Sequence, residues 1–478
     1  MYSRELERLL TANKVLDGDS VEITIDGNSY KGILLPRSSG VPDDTLTLKL
    51  SNGYNVGLKF RPGLKLTKIG NATKLSQIPV LEIAPNPSLP SIAIISTGGT
   101  IGTHVDYKTG GVFMSRTAQE MLSTVPELLE IVNIKSLTTP FQTASEDFSV
   151  ENWQALAKET AEQLNDPEIR GVIITHGTDV LHYTSSALSF MLQNLSKPVA
   201  LVGAQRSPDR GSFDGNMNMV CAAHFVSKSD IAQVCVVMHG SSSDDYCYAH
   251  RGTKVRKMHT TRRDAFRSVN EKPLAKIFPD GKIEIVNGNY PKRRATEIVT
   301  NAKENLSYGE TKMPSIKTVI PNTFADVAFE EKIAMLKIYP NANPELLDFL
   351  TDKGYKGVIL EATALGHVPT GESGKNSGFF DPKMSWIPPV KRAVEKGIFV
   401  GVASQALYGR TSATVYRNLR LLSDAGAIHL EDMLPETAYT KLGWVLAHSK
   451  TLAETGKLML SNLRGEINQR LTDEEFLQ

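Results

Sequence analysis

Cysteine is nearly absent: the 478 residues contain three, Cys221, Cys235 and Cys247, with no CxxC pair among them. A sparse, odd set argues against a disulfide framework and fits a reducing compartment. No run of 18 apolar residues occurs, so no membrane-spanning helix is expected. The first residues, MYSRELERLLTANKVL, carry neither the apolar stretch nor the small-residue cleavage site of a secretion signal. These absences lead us to expect a cytoplasmic protein with no membrane partner. Net charge is missing too, since 53 Lys and Arg face 52 Asp and Glu. That balance gives no global electrostatic case for an extensive nucleic-acid surface. HExxH and GxSxG are also absent, which removes the usual zinc-hydrolase and serine-elbow readings, and no metal site is expected.

What is present divides the chain. Residues 1–70 alternate apolar and polar positions around Asp26-Gly27 and Asn52-Gly53, two hairpin signals, and end in the short strand LKLTKI. About five strands are expected, enough for a small all-β barrel of the SH3 or Tudor kind. Residues 71–90 carry four prolines and read as a linker. From Ser91 the short apolar runs SIAIIS, GVIITH, PVALVG and AQVCVVMH alternate with helical patterns up to about residue 290, where a hairpin turns at Asp280-Gly281. Strands without polar alternation imply a parallel sheet covered on both faces. Residues 291–330 read as a connection, 331–450 as a second α/β domain, and 451–478 as a helical tail. The expected fold is thus a two-domain α/β core with parallel sheets, preceded by the barrel.

Ligands of open α/β sheets bind beyond the carboxyl ends of the strands. There the sequence places Thr97 to Thr100, then His176 to Asp179, then Ala204 to Arg206, and through a longer loop Lys257. A threonine hydroxyl is a weak nucleophile until a base takes its proton, and a neutral lysine can be that base. Thr178, Asp179 and Lys257 could form such a unit, with the carboxylate orienting the other two. Neighbouring glycines would let backbone N–H groups reach a developing oxyanion. The parts suit acyl transfer, amide hydrolysis being the simplest version. Each residue also has a plainer reading: a turn threonine, an aspartate at a helix N-terminus, a solvated lysine. His176 and His182, six residues apart, are badly spaced to ligate one metal from a single helix face. Spacing does not choose between Thr100 and Thr178 as the first attacker.

TGGTI at 97–101, HGTDV at 176–180, VRKMHTTRRDAF at 255–266 and TASEDF at 143–148 together resemble the asparaginase/glutaminase family over about residues 91–450. The resemblance puts Thr100 at the nucleophile position and Thr178, Asp179 and Lys257 in the second catalytic set. It assigns Ser145 and Glu146 to the substrate's α-amino and α-carboxylate ends, and Tyr107 to a lid over residues 102–113. A barrel ahead of such a core resembles one branch of that family, the ammonia-supplying GatD chains of archaeal glutamyl-tRNA(Gln) amidotransferases. The resemblance then implies L-glutamine as substrate and the GatE chain as partner. It also implies homodimers joined into a heterotetramer of two GatD and two GatE chains, and tRNA(Gln) held mainly by the partner. No cofactor would be bound by this chain, ATP and Mg²⁺ being used at the partner. A stand-alone type I L-asparaginase with an added barrel, and a non-catalytic binding module, are the competing readings.

Overall fold

The computed structural model describes residues 2–37, 42–50, 55–71, 86–98, 103–105, 112–114, 125–207, 212–294, 322–371 and 381–476. At the N-terminus, helix α1 (Arg4–Ala12) starts where the Ser3 hydroxyl accepts the Leu6 N–H. Strands β1 (Ser20–Ile25) and β2 (Asn28–Leu35) pair antiparallel, with Ile25 opposite Asn28 across the Asp26-Gly27 turn. Strands β3 (Thr45–Leu50), β4 (Asn55–Lys59) and β5 (Lys65–Gly70) complete a five-stranded sheet in the order β4-β3-β2-β1-β5. Alternate residues Val21, Ile23, Leu46 and Leu48 point inward and are sealed by Leu6 of α1. These are the five antiparallel strands that the alternation predicts, with helix α1 added to them.

The central domain is built on an eight-stranded sheet in the order β18-β17-β14-β13-β12-β10-β6-β9. In chain order its first members are β6 (Ser91–Ser96), then, after a separate two-stranded ribbon of β7 (Thr103–Val105) and β8 (Val112–Met114), β9 (Asn133–Thr138) and β10 (Val172–Thr175). Helix α2 (Val150–Asn165) lies between β9 and β10, and α3 (Leu181–Met191) follows β10. A two-residue strand β11 (Leu192–Gln193) precedes β12 (Val199–Val202); α4 (Gly215–Lys228) then leads to β13 (Val234–His239) and β14 (Cys247–Arg251). The hairpin of β15 (Val255–Lys257) and β16 (Phe266–Ser268) branches off before β17 (Ala275–Ile277) and β18 (Ile283–Ile285) close the sheet.

Because side chains alternate across a strand, β6 sends Ile92 and Ile94 to one core with Phe225 of α4, and Ala93 and Ile95 to another with Leu156 of α2 and Leu188 of α3. Burial on both faces is why these strands read as unbroken apolar runs. The parallel arrangement holds from β9 through β13; β14, β17 and β18 are added antiparallel. The polar link between β13 and β14 is too short for the helical crossover that a parallel neighbour needs.

Past residue 322, β19 (Phe324–Ala325) pairs back onto β11. The last domain is a parallel sheet of β20 (Ile333–Lys337), β21 (Gly357–Ala362), β22 (Phe399–Ser404) and β23 (Ile428–His429). Helices α5 (Glu345–Asp352) and α6 (Ile387–Glu395) cover one face. Helix α7 (Pro435–His448) covers the other, and α8 (Leu452–Leu460) packs beside it, so the chain after 450 joins this domain's core. Helix α7 serves two cores at once. Ala438, Leu442 and Val445 face the last domain, while Tyr439 and Trp444 also pack on the central one. Ser186 of α3 meets Thr440 of α7 at 2.7 Å between their hydroxyl oxygens.

Candidate active site

At the end of β6 the chain leaves through Thr97 and Gly98. Thr97 is fully buried, and both its hydroxyl and its N–H donate to the Thr175 carbonyl oxygen, at 2.9 and 3.2 Å. It therefore ties β6 to β10 instead of offering a free hydroxyl. Gly98 turns the chain at φ +100°, a region that side chains rarely adopt. Thr100 and Tyr107 lie outside the described residues. Of the expected lid, the backbone of the β7–β8 ribbon is described, and residues 102 and 106–111 are not.

Strand β10 delivers His176, Gly177, Thr178 and Asp179 to the same rim. His176 is fully buried against the Phe148 ring, centroids 4.6 Å apart, and its Nδ1 lies 2.6 Å from the Gly177 carbonyl oxygen. An acceptor there puts the imidazole proton on Nδ1. Burial pushes the ring's pKa down to about 4, so His176 is a neutral support and no acid. Gly177 is required by close approach, for a Cβ would stand 2.6 Å from Ser145 Oγ and 2.7 Å from Ser145 Cβ. Gly177→Ala is accordingly expected to displace Ser145, costing about 1–3 kcal/mol of stability and raising KM more than it lowers kcat. Thermal unfolding with steady-state kinetics checks both.

Ser145 is thereby packed against Gly177, its hydroxyl buried and without a hydrogen-bond partner among the described residues. Glu146 follows it in a short 3₁₀ turn and is exposed. From the neighbouring strand β12, Gln205 and Arg206 are held by their N–H groups on the buried Asp214 carboxylate, at 3.0 and 2.9 Å.

The decisive geometry is at Lys257, the last residue of β15. Its Nζ lies 2.9 Å from Thr178 Oγ1 and 2.7 Å from Asp179 Oδ1, and its side chain is only 11% exposed. Asp179 does not cap α3, which begins two residues later with Val180 at the N-cap; its carboxylate is turned to the amine. A cavity of about 250 Å³ opens against Asp179, Lys257, Met258, His259 and Thr260. A larger one, about 610 Å³, lies at the far end of α3, but its Arg251 and Arg464 are already engaged by Glu271, Gln233, Gln193 and the Ser189 carbonyl. Of the residues singled out in the sequence, the structure brings Thr178, Asp179, Lys257 and Ser145 to one rim, with Glu146 at its edge. It also pairs Arg256, the neighbour of Lys257, with Glu436, which stands 4.0 Å from His182; the motifs assign no catalytic role to these three. The spacing of His182 speaks only to metal binding, and Glu436 reads in sequence as an ordinary acidic residue opening a helix.

Three family models match the chain: a GatD N-terminal domain over residues 15–69, an asparaginase N-terminal domain over 91–290, and a glutaminase/asparaginase C-terminal domain over 332–459. The D subunit of the glutamyl-tRNA(Gln) amidotransferase of Pyrococcus furiosus is 46% identical over 465 residues, 97% of this chain and 95% of that protein. The chain belongs to the GatD family. Another GatD relative, from Thermococcus kodakarensis, is 46% identical over 454 residues, covering 94% of this chain and 93% of its own. Among solved structures, the thermostable L-asparaginase from Thermococcus kodakarensis aligns at TM-score 0.62 and 25% identity, covering 80% of this chain and 100% of that one. L-asparaginase I from Vibrio cholerae aligns at TM-score 0.62 and 26% identity, covering 80% and 99%. Those whole enzymes account for four-fifths of this chain, whereas GatD relatives account for nearly all of it. The N-terminal β-sheet domain is thus a feature that the chain shares with the GatD family.

Proposed function

We propose that this chain is the glutamine-hydrolysing component of a tRNA-dependent amidotransferase. A threonine hydroxyl attacks the side-chain amide carbon of L-glutamine and ammonia leaves, forming an acyl-enzyme that water hydrolyses to glutamate. Thr178, Asp179 and Lys257 are the described part of the machinery. Lys257 Nζ takes the Thr178 proton, and Asp179 holds Nζ on the hydroxyl. Thr100 occupies the other nucleophile position by its place in TGGTI. Ser145, whose buried hydroxyl has no hydrogen-bond partner among the described residues, and Glu146 hold the α-carboxylate and α-amino groups, with Tyr107 on the lid. The ammonia serves a GatE partner, which binds Glu-tRNA(Gln), uses ATP and Mg²⁺, and yields Gln-tRNA(Gln). The assembly is a heterotetramer of two GatD and two GatE chains built on a GatD homodimer, in the cytoplasm, where the three buried free thiols stay reduced.

The observation that carries this reading is the 2.9 Å contact between Lys257 Nζ and Thr178 Oγ1. Glutamine hydrolysis is measured for the chain alone, then with GatE, ATP, Mg²⁺ and Glu-tRNA(Gln). The expected result is slow hydrolysis alone and a rise with the full set, with Gln-tRNA(Gln) formed. The likeness to stand-alone asparaginases favours a second reading, an independent L-asparaginase. Rapid asparagine hydrolysis in isolation, unmoved by the additions, would establish that reading in its place.

A further inference from the structure

The segment that ends on Lys257 is gripped by the last domain at nearly every residue. Thr437 Oγ1 donates to the Thr253 carbonyl oxygen at 2.9 Å. Lys254 Nζ, fully buried, pairs with the equally buried Asp432 Oδ2 at 2.6 Å. Arg256 Nη2 lies 3.1 Å from Glu436 Oε1. Asp432, Glu436 and Thr437 stand in the first turn of α7 or just before it.

Glu436 differs from the other two. Its side chain is 7% exposed, and its second oxygen, Oε2, is buried with no hydrogen-bond partner among the described residues. Burial holds its carboxyl above the ordinary carboxylate range, and the Arg256 charge is the largest influence against this. The same carboxylate stands 4.0 Å from Nε2 of His182, in the first turn of α3, three residues past Asp179. A buried carboxylate is costly unless a cation meets it, so Glu436 fixes the Arg256 guanidinium. Successive residues of a strand project to opposite faces. Fixing Arg256 therefore fixes the direction in which Lys257 leaves β15.

We propose that Glu436, acting through Arg256, is the positioning residue that holds the Lys257 amine against Thr178 and Asp179. The inference rests on the glutamine-hydrolysis reading and makes the seam between the two α/β domains part of the catalytic apparatus. Glu436 touches no substrate; it acts on the geometry of proton transfer alone.

The test uses the full-length chain with glutamine. Glu436→Gln keeps the shape and removes the charge, and kcat is expected to fall about ten- to a hundredfold, as for a small misplacement of a reacting group, with KM nearly unchanged. Arg256→Met should show the same loss and Arg256→Lys should recover most of it. The double variant should be no slower than the worse single one, since both act on one interaction. An unchanged kcat in Glu436→Gln, a rise in KM alone, or a loss that Arg256→Met does not share would each overturn the proposal. If Glu436→Gln fails to fold by thermal unfolding, the Arg256→Met and Arg256→Lys pair decides by the same criterion. Thr178→Val is assayed alongside. Wild-type activity in Thr178→Val defeats the hydrolysis reading itself; its loss beside an unaffected Glu436→Gln defeats only the positioning role.

Discussion

Lys257→Met is expected to lower kcat/KM for glutamine on the order of 10²- to 10⁴-fold, the usual worth of a general base. Methionine keeps most of the stem and removes the amine that stands 2.9 Å from Thr178 Oγ1. The Asp179 carboxylate it leaves behind is 62% exposed, so water replaces the lost ion pair and little stability should go with it. Thr178→Val removes the other end of the same hydrogen bond and should cost a similar factor. Groups that work as a unit are not additive, so the double variant should be about as slow as the worse single one. Activity within a few-fold of the parent in Lys257→Met would exclude the amine as the base.

The second large effect is on acid stability. His176, His182 and His250 are buried and have their pKa values pushed from 6.5 down to about 4, about 3 and about 3. Burial is the main cause in each; the charges of Arg256 and Lys257 add to it at His182, and Arg267 at His250. All three are neutral when folded, while the unfolded chain binds protons below about 6.5. Unfolding then takes up as many as three protons between pH 6.5 and 4, so stability is full above 6.5 and falls as pH drops. The histidines alone account for about 4 kcal/mol per pH unit at the steepest. Asp214, Glu271 and Glu436, whose carboxyls burial holds above their usual range, work in the opposite sense and reduce the net slope. Urea unfolding across this range should show the decline, and His250→Gln should reduce the slope by about one proton. An unchanged slope in that variant would show that His250 titrates normally in the folded chain.

How much of this is legible in the sequence depends on where each residue is buried. SIAIIS and GVIITH stand out because β6 and β10 lie in mid-sheet with both faces covered. β9, NIKSLT, is an edge strand with half-buried polar residues, and β14, CYAHR, runs antiparallel through a stretch that alternation does not mark. The N-terminal β-sheet is legible from the alternation along its strands and from the Asp26-Gly27 turn. At the site, Thr178 and Asp179 are marked by the strand end that carries them, but nothing in their spacing states that Lys257, 79 residues from Thr178, is within a hydrogen bond. Glu436 is illegible for a deeper reason. Its role depends on how two separately folded sheets are pressed together, and no local pattern encodes that.

The buried Lys254–Asp432 pair has a consequence for the chain's history and its engineering. A chimera joining residues 91–290 to a foreign last domain that covers the seam but lacks the Asp432 carboxylate would strand an ammonium in a dry interior, a penalty of about 3–5 kcal/mol. The two halves of the catalytic body are therefore a single inheritance: neither can be swapped for a foreign counterpart unless both ends of that ionic rivet are transplanted together.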